Sequence, residues 1–265
     1  MALTADNDLD LWAFGCRQTP PDMGNRRTFP ALITILTTAG TGAETESAAM
    51  ITDTARLMKW CLWHVELKPA FVVLDPELTV GLPANLMAWT GVDAMVHAIE
   101  AYCVLRFNPL CDGMGVEGRR LVAHWLPVAV AEPSKVETWG AMLAGSFFPG
   151  APFSTAWVWC MLFFIRLAQN MITQHGLINE IVLPAKLRHN APAITDKVAV
   201  MAQAMGLSDT SFDASYTHIC TLIDQLDIPK TLVEIGVAPE CAASIAGKAL
   251  EDSAAGTNPA GSGPA

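Results

Sequence analysis

From Pro83 onward the apolar residues of this 265-residue chain recur at spacings of three and four. The pattern predicts helices over residues 90–102, 115–130, 136–146, 194–205, 212–226 and 241–250. Pro239 stands at a favoured first position for the last of them. Before Pro83 the pattern is different. The first thirty residues read as loop, with Pro20, Pro21, Gly24 and Asn25. Residues 31–36 read as a buried strand, followed by a Thr/Gly turn rich in backbone donors. Residues 71–74 read as a second strand, closed by the turn-forming Asp75-Pro76. No internal repeat is present. The predicted architecture is mostly α, a helical domain behind a small α/β portion.

The helix at 90–102 carries the most chemistry. Asp93 and His97 lie four residues apart and so share one helix face, one turn apart. Small apolar neighbours (Ala94, Ala98, Ala101) place that face in the interior. A carboxylate and an imidazole buried together need a partner, and a divalent transition metal is one. The alternative for His97 is a core histidine bonded to a backbone carbonyl. Glu100 either orients a ligand from behind or belongs to a solvated face.

Composition excludes several classes. At 52% apolar and 16% charged residues, the chain can bury a substantial core in one large or two small domains. A net charge of -10, with no basic cluster interleaved with aromatics, argues against nucleic acid and against anionic membranes. Seven cysteines (16, 61, 103, 111, 160, 220, 241) form no C-x-x-C pair. They fit free thiols in a reducing cytosol better than a disulfide framework or a zinc site. The polar, acidic first ten residues are no signal peptide, so a cytoplasmic protein is expected. Residues 138–165 carry no charged side chain and reach membrane-helix length. Gly145, Pro149, Gly150 and Pro152 interrupt them, and neither flank is enriched in Lys or Arg. The expectation is no membrane, with an anchor at 147–165 kept as a third reading.

Four segments then line up. Thr37-Thr38-Ala39-Gly40-Thr41-Gly42-Ala43-Glu44 follows the first strand, and Leu74-Asp75-Pro76-Glu77-Leu78 closes the second. The Asp93/His97 helix comes next, then His175-Gly176-Leu177-Ile178-Asn179-Glu180. In this order they resemble the iron-containing (group III) alcohol dehydrogenase family, over residues 11–259. The resemblance implies the C-terminal helical domain of a dehydroquinate synthase-like, iron alcohol dehydrogenase fold, with an α/β remnant at the N-terminus. The implied boundaries are 1–82 for the remnant of the dinucleotide-binding domain, 83–253 for the helical metal-binding domain and 254–265 for a disordered tail. The family's Gly-rich phosphate loop belongs farther upstream than the 36 residues before Thr37, so an N-terminally truncated chain is expected.

By the same resemblance Asp93, His97 and His175 are metal ligands, for Fe2+ or alternatively Zn2+, and Thr37, Thr38, Thr41 and Leu78 contact NAD or NADP. Leu36 and Ala43 depart from the family's usual Pro and Ser there. No separate catalytic residue is assigned. The implied reaction passes hydride between a primary or short-chain alcohol, or its aldehyde, and the nicotinamide, in a homo-oligomer. Asp93 and His97 favour this metal-dependent branch over the related metal-free maleylacetate reductases.

The family's remaining histidine falls on Met161, a poor ligand for a ferrous site. An overlapping reading frame across 157–172 can encode L-G-V-V-H-A-L-L-H-P-L-G-A-K-H-D, with a histidine codon where Met161 stands. A frameshifted segment and an impaired enzyme are therefore expected. The alternative is a non-catalytic helical module that associates with full-length subunits. His175 before Gly176 could instead cap a helix C-terminus, while His64, His124, His189 and His218 are read as structural or surface residues.

Overall fold

The computed structural model describes residues 10–15, 18–22, 30–53, 58–104, 107–150, 175–243, 246 and 258–261. Its centre is helix α1, Ala84–Cys103. Fourteen of its twenty residues are buried, Asp93, His97 and Glu100 among them. A helix buried on all sides needs neighbours on all sides. These are α2 (Pro109–Ala131), α3 (Val136–Gly150), α4 (His175–Asn190) and α5 (Thr195–Ala204), with α6 (Phe212–Gln225) packed against α4 and α5. One core runs through the bundle, built on Val92, Met95, Val96, Ile99, Leu126, Trp139, Leu143 and Leu183.

Local chemistry starts and stops these helices. Asn108 accepts from the N–H of Cys111 and Pro109 follows at the first position, which sets the start of α2. Ser211 caps α6 in the same way, accepting from the N–H of Ala214. At its C-terminus α1 is held from outside, since the Lys197 ammonium of α5 donates to the carbonyls of Tyr102 (2.5 Å) and Val104 (2.9 Å). Close approach of α2 and α3 depends on Gly118. A Cβ there would lie 2.5 Å from Pro149 Cγ and 2.9 Å from the Gly145 carbonyl oxygen.

Before α1 lie two small sheets. Strands β1 (Ile33–Ile35) and β4 (Phe71–Val73) pair in parallel, Ile33 opposite Phe71 and Ile35 opposite Val73. The antiparallel pair β2 (Ala48–Asp53) and β3 (Met58–Trp63) comes between them in sequence, with Ala48 opposite Trp63 and Asp53 opposite Met58. Leu62 of β3 buries against Phe14 in a separate small cluster.

Five of the six predicted helices appear, the first two of them beginning six residues earlier than expected, at Ala84 and Pro109. Of the sixth, expected over 241–250, little falls within the described residues beyond a short turn at Pro239–Cys241. The strand expected to be buried is a strand, but Ile33 and Ile35 stand more than half exposed. Among the described residues β1 has one partner strand. Within the stretch expected to be a disordered tail, Asn258–Gly261 form a turn, and the Ala260 N–H donates to Asn190 Oδ1 at the end of α4. Among the described residues no helix is long and apolar enough to cross a membrane, and 151–165 lie outside them. Among the described residues Cys103, Cys220 and Cys241 are free thiols, Cys103 buried.

Candidate functional site

The helical repeat places Asp93 and His97 side by side in the middle of α1, both almost fully buried. His97 Nε2 lies 3.5 Å from Asp93 Oδ1. Across from them, Asn179 of α4 donates through Nδ2 to Asp93 Oδ1 at 2.7 Å, which fixes the carboxylate rotamer.

Gly176 explains why α4 can come so close. A Cβ on it would sit 2.4 Å from the Trp89 carbonyl oxygen and 3.1 Å from Asp93 Cβ, so only a glycine lets the start of α4 rest on the backbone of α1. His175 and Gly176 both lie within α4, so the pair does not cap the end of a helix. The His175 side chain lies outside the described residues, as does all of Met161. Among the described residues no three His, Cys, Asp or Glu side chains converge on one metal position.

The surroundings are acidic. Glu100, one turn after His97, is wholly buried, which removes the solvated reading. Glu180 of α4 is also wholly buried, and neither carboxylate oxygen has a hydrogen-bond partner. Burial first, and the Asp93 charge second, hold its carboxyl well above the usual range. Burial pushes the Glu46 carboxyl up to about 7, against the pull of His97 and with help from Glu44. Burial works against protonation of His97, but Asp93, Glu100 and Glu46 together outweigh it and raise the imidazole above its ordinary value. One imidazole thus faces a surplus of carboxyl groups in a medium that stabilises charge poorly. The donor set fits a divalent cation, with Asp93 and His97 as the described side chains able to hold it and the acidic surplus as the charge it would offset.

The loop between β1 and β2 closes the site from the strand side. Gly40 packs on Thr90 of α1, where a Cβ would meet Thr90 Cβ at 3.3 Å. Gly42 adopts the left-handed region (φ 69) against Ser146 and Gly150 at the end of α3. This seats the Thr37–Thr41 stretch beside α1. Thr37 and Thr38 are exposed, and Thr41 is half-buried, its hydroxyl accepting from the Ala43 N–H. Leu78 is 47% exposed, in the short turn Pro76–Thr79 that packs on α3, with Asp75 as its cap. The structure therefore brings Asp93 and His97 together, sets the threonine turn against their helix and leaves Thr37, Thr38 and Leu78 open to solvent.

Sequence reasoning missed Asn179, Glu180 and Glu46. The signal for Asn179 was present, since His175 and Asn179 are four apart, in a stretch that also holds Pro184. His64 caps a short turn through Nδ1 and meets Phe14 edge-to-face, while His124 and His189 are exposed.

Comparison with known proteins converges on one family. Residues 87–262 match the family described as Fe-containing alcohol dehydrogenase family, C-terminal, and residues 1–76 match iron-containing alcohol dehydrogenase. The NAD-dependent methanol dehydrogenase of Bacillus methanolicus is 32% identical over 235 residues, covering 86% of this chain and 62% of that protein. The 1,3-propanediol dehydrogenase of Klebsiella pneumoniae is 31% identical over 268 residues, covering 98% of this chain and 67% of that protein. Among solved structures, a 1,3-propanediol oxidoreductase superposes with a TM-score of 0.89 at 28% identity, over 97% of this chain and 68% of that one. Sulfoacetaldehyde reductase from Bifidobacterium kashiwanohense in complex with NAD+ superposes with a TM-score of 0.77 at 26% identity, over 90% and 64%. The family matches run along nearly the whole chain, and the fold built around the buried Asp93–His97 helix agrees with them: the protein belongs to the iron-containing alcohol dehydrogenases.

Proposed function

We propose that the chain is a metal-dependent alcohol oxidoreductase by descent, using NAD or NADP with a primary or short-chain alcohol or its aldehyde, and that its metal affinity and turnover are reduced. The observation that carries this reading is the Asp93–His97 pair, buried on α1 and locked from α4 by Asn179. Asp93, His97 and His175 would hold the metal, Fe2+ or Zn2+. A divalent ion held there supplies Lewis acidity toward the alcohol oxygen, and the nicotinamide supplies the hydride acceptor.

This chain's own residues prepare the site. Asn179 orients the Asp93 carboxylate, and Gly176 lets the start of α4 approach α1. Burial of Glu100 and Glu180 keeps the cluster dry until a cation arrives. Thr37, Thr38 and Thr41 offer hydroxyl and backbone donors to the cofactor's phosphate or ribose beside α1, and exposed Leu78 offers an apolar contact. The reduced affinity follows from Met161, which stands where the resemblance expects a fourth ligand.

Metal analysis tests the assignment. The purified chain is expected to hold less than one equivalent of Fe2+ or Zn2+, and Asp93→Ala or His97→Ala should lose it. Met161→His should raise metal affinity about tenfold or more, the scale of restoring part of a metal's support, and raise NAD-dependent alcohol oxidation with it. A chain that takes up no metal, with or without Met161→His, refutes the metal reading. Turnover of the unaltered chain equal to that of Met161→His refutes the impairment.

A second reading, a non-catalytic module that joins subunits of a longer relative, draws on the exposed apolar side chains of Ile33, Ile35, Phe71 and Val73. Co-purification with such a subunit, without metal or cofactor binding, would favour it. The same exposed strands support a homo-oligomer, whose mass in solution decides the point.

A further inference from the structure

Helix α4 carries a proline in its interior, Pro184. A proline has no N–H, so the bond from residue 184 back to the Glu180 carbonyl cannot form and the backbone ladder is interrupted there. The two halves of α4 are held differently. The first half rests on α1 through Gly176 and through the Asn179–Asp93 hydrogen bond. In the second half Leu187 packs in the core, and the Arg188 guanidinium lies over the Tyr216 ring of α6, 4.5 Å from its centroid. The end of the helix is held by a distant piece of chain. Asn190 is wholly buried, its Nδ2 donating to the Lys186 carbonyl at 3.1 Å and its Oδ1 accepting from the Ala260 N–H at 2.9 Å.

The donating residue sits in a turn that closes on itself. The Gly261 N–H donates to the Asn258 carbonyl at 3.0 Å, and Asn258 Nδ2 donates back to the Gly261 carbonyl. Gly261 takes the left-handed region (φ 76), which a glycine enters without strain. Asn258 and Pro259 are buried, while Ala260 and Gly261 are exposed. A turn already closed has little freedom left to lose when it docks. Its partner is equally fixed, because Asn190 is tied to its own helix through Lys186. The two partners are 70 residues apart in sequence. One hydrogen bond and two buried side chains nevertheless make a contact small enough to open without unfolding the bundle.

We propose that the turn Asn258–Gly261 is a strap that latches the last turn of α4 and opens on its own. Releasing it frees residues 186–190 to move about Pro184, while Gly176 and Asn179 keep the first half of α4 seated on α1. Motion at the strap is thereby kept away from the Asp93–His97 pair. The device does not rest on the proposed activity.

Amide hydrogen exchange on the full chain tests it, with the latch broken from either side. Asn190→Ala removes the acceptor. Gly261→Ala strains the turn at its left-handed position, and the added Cβ meets no atom within 4 Å, so it disturbs nothing else. In the unaltered chain the Ala260 amide should exchange more slowly than an exposed peptide. In either variant that amide and those of the last turn of α4 should exchange about fivefold faster, the factor that corresponds to one net hydrogen bond. Amides 177–183 should keep their rates. An Ala260 amide already unprotected in the unaltered chain overturns the strap. So does a last turn of α4 that does not respond to Gly261→Ala. Equal acceleration along the whole of α4 shows a general loss of stability instead of a latch, and also overturns it. If Asn190→Ala does not fold, Gly261→Ala on its exposed residue decides the matter alone.

Discussion

One methyl group at residue 176 would separate two helices. The neighbours a Cβ would strike are the Trp89 carbonyl oxygen and carbon, both backbone, so no side-chain rotation can make room. Gly176→Ala is therefore expected to push α4 off α1 and destabilise the chain by about 1–3 kcal/mol, the usual scale of overpacking. A urea titration should show this as a lowered midpoint. Because the Asn179–Asp93 hydrogen bond spans the same gap, metal content should fall together with stability. At this scale the sequence was readable where spacing alone decides geometry. Asp93 and His97 had to share a face once the segment was a helix. Glu46 could not be found that way, because its place near His97 depends on how the loop after β1 folds over α1, a contact between distant parts of the chain.

Helices show the same division. Apolar periodicity located α1, α2, α3, α5 and α6, since each buries a stripe that the spacing reveals. It missed α4, where Pro184 interrupts the pattern and the fully buried Asn179, Glu180 and Asn190 look like surface residues. It also missed the β2–β3 hairpin, whose connecting residues Thr54-Ala55-Arg56-Leu57 contain none of the usual turn formers. The end of α1 depends on a side chain from another element, Lys197 on α5, which serves the Tyr102 and Val104 carbonyls. Lys197→Met keeps the aliphatic stem and removes both bonds. It is expected to cost about 1–3 kcal/mol, seen as a lower unfolding midpoint together with faster amide exchange in the last turn of α1.

For the molecule as a whole, the buried acids set the pH dependence. In metal-free protein Glu44, Glu46 and Glu180 all sit above their ordinary carboxyl values. Their folded-state values exceed the unfolded ones, so the stability they allow is complete below the unfolded carboxyl value and is lost as pH rises through the folded one. For Glu46 the window runs from 4.5 to about 7 and amounts to roughly 3 kcal/mol. His97, also raised, loses its contribution as pH rises above 6.5. Urea midpoints measured in chelator should therefore fall between pH 5 and 7.5. Glu46→Gln should flatten the lower part of that fall, and a flat profile for the unaltered chain would contradict the acidic cluster. The α1–α4 hydrogen bond has a further consequence, for the order of events on the ribosome. Asp93 and Asn179 are separated by 86 residues of chain. At ordinary elongation rates this leaves α1 waiting roughly 4–17 s for its partner. During that interval a helix destined for the interior has only its earlier neighbours to cover it, and this is when a chaperone would have the most to hold.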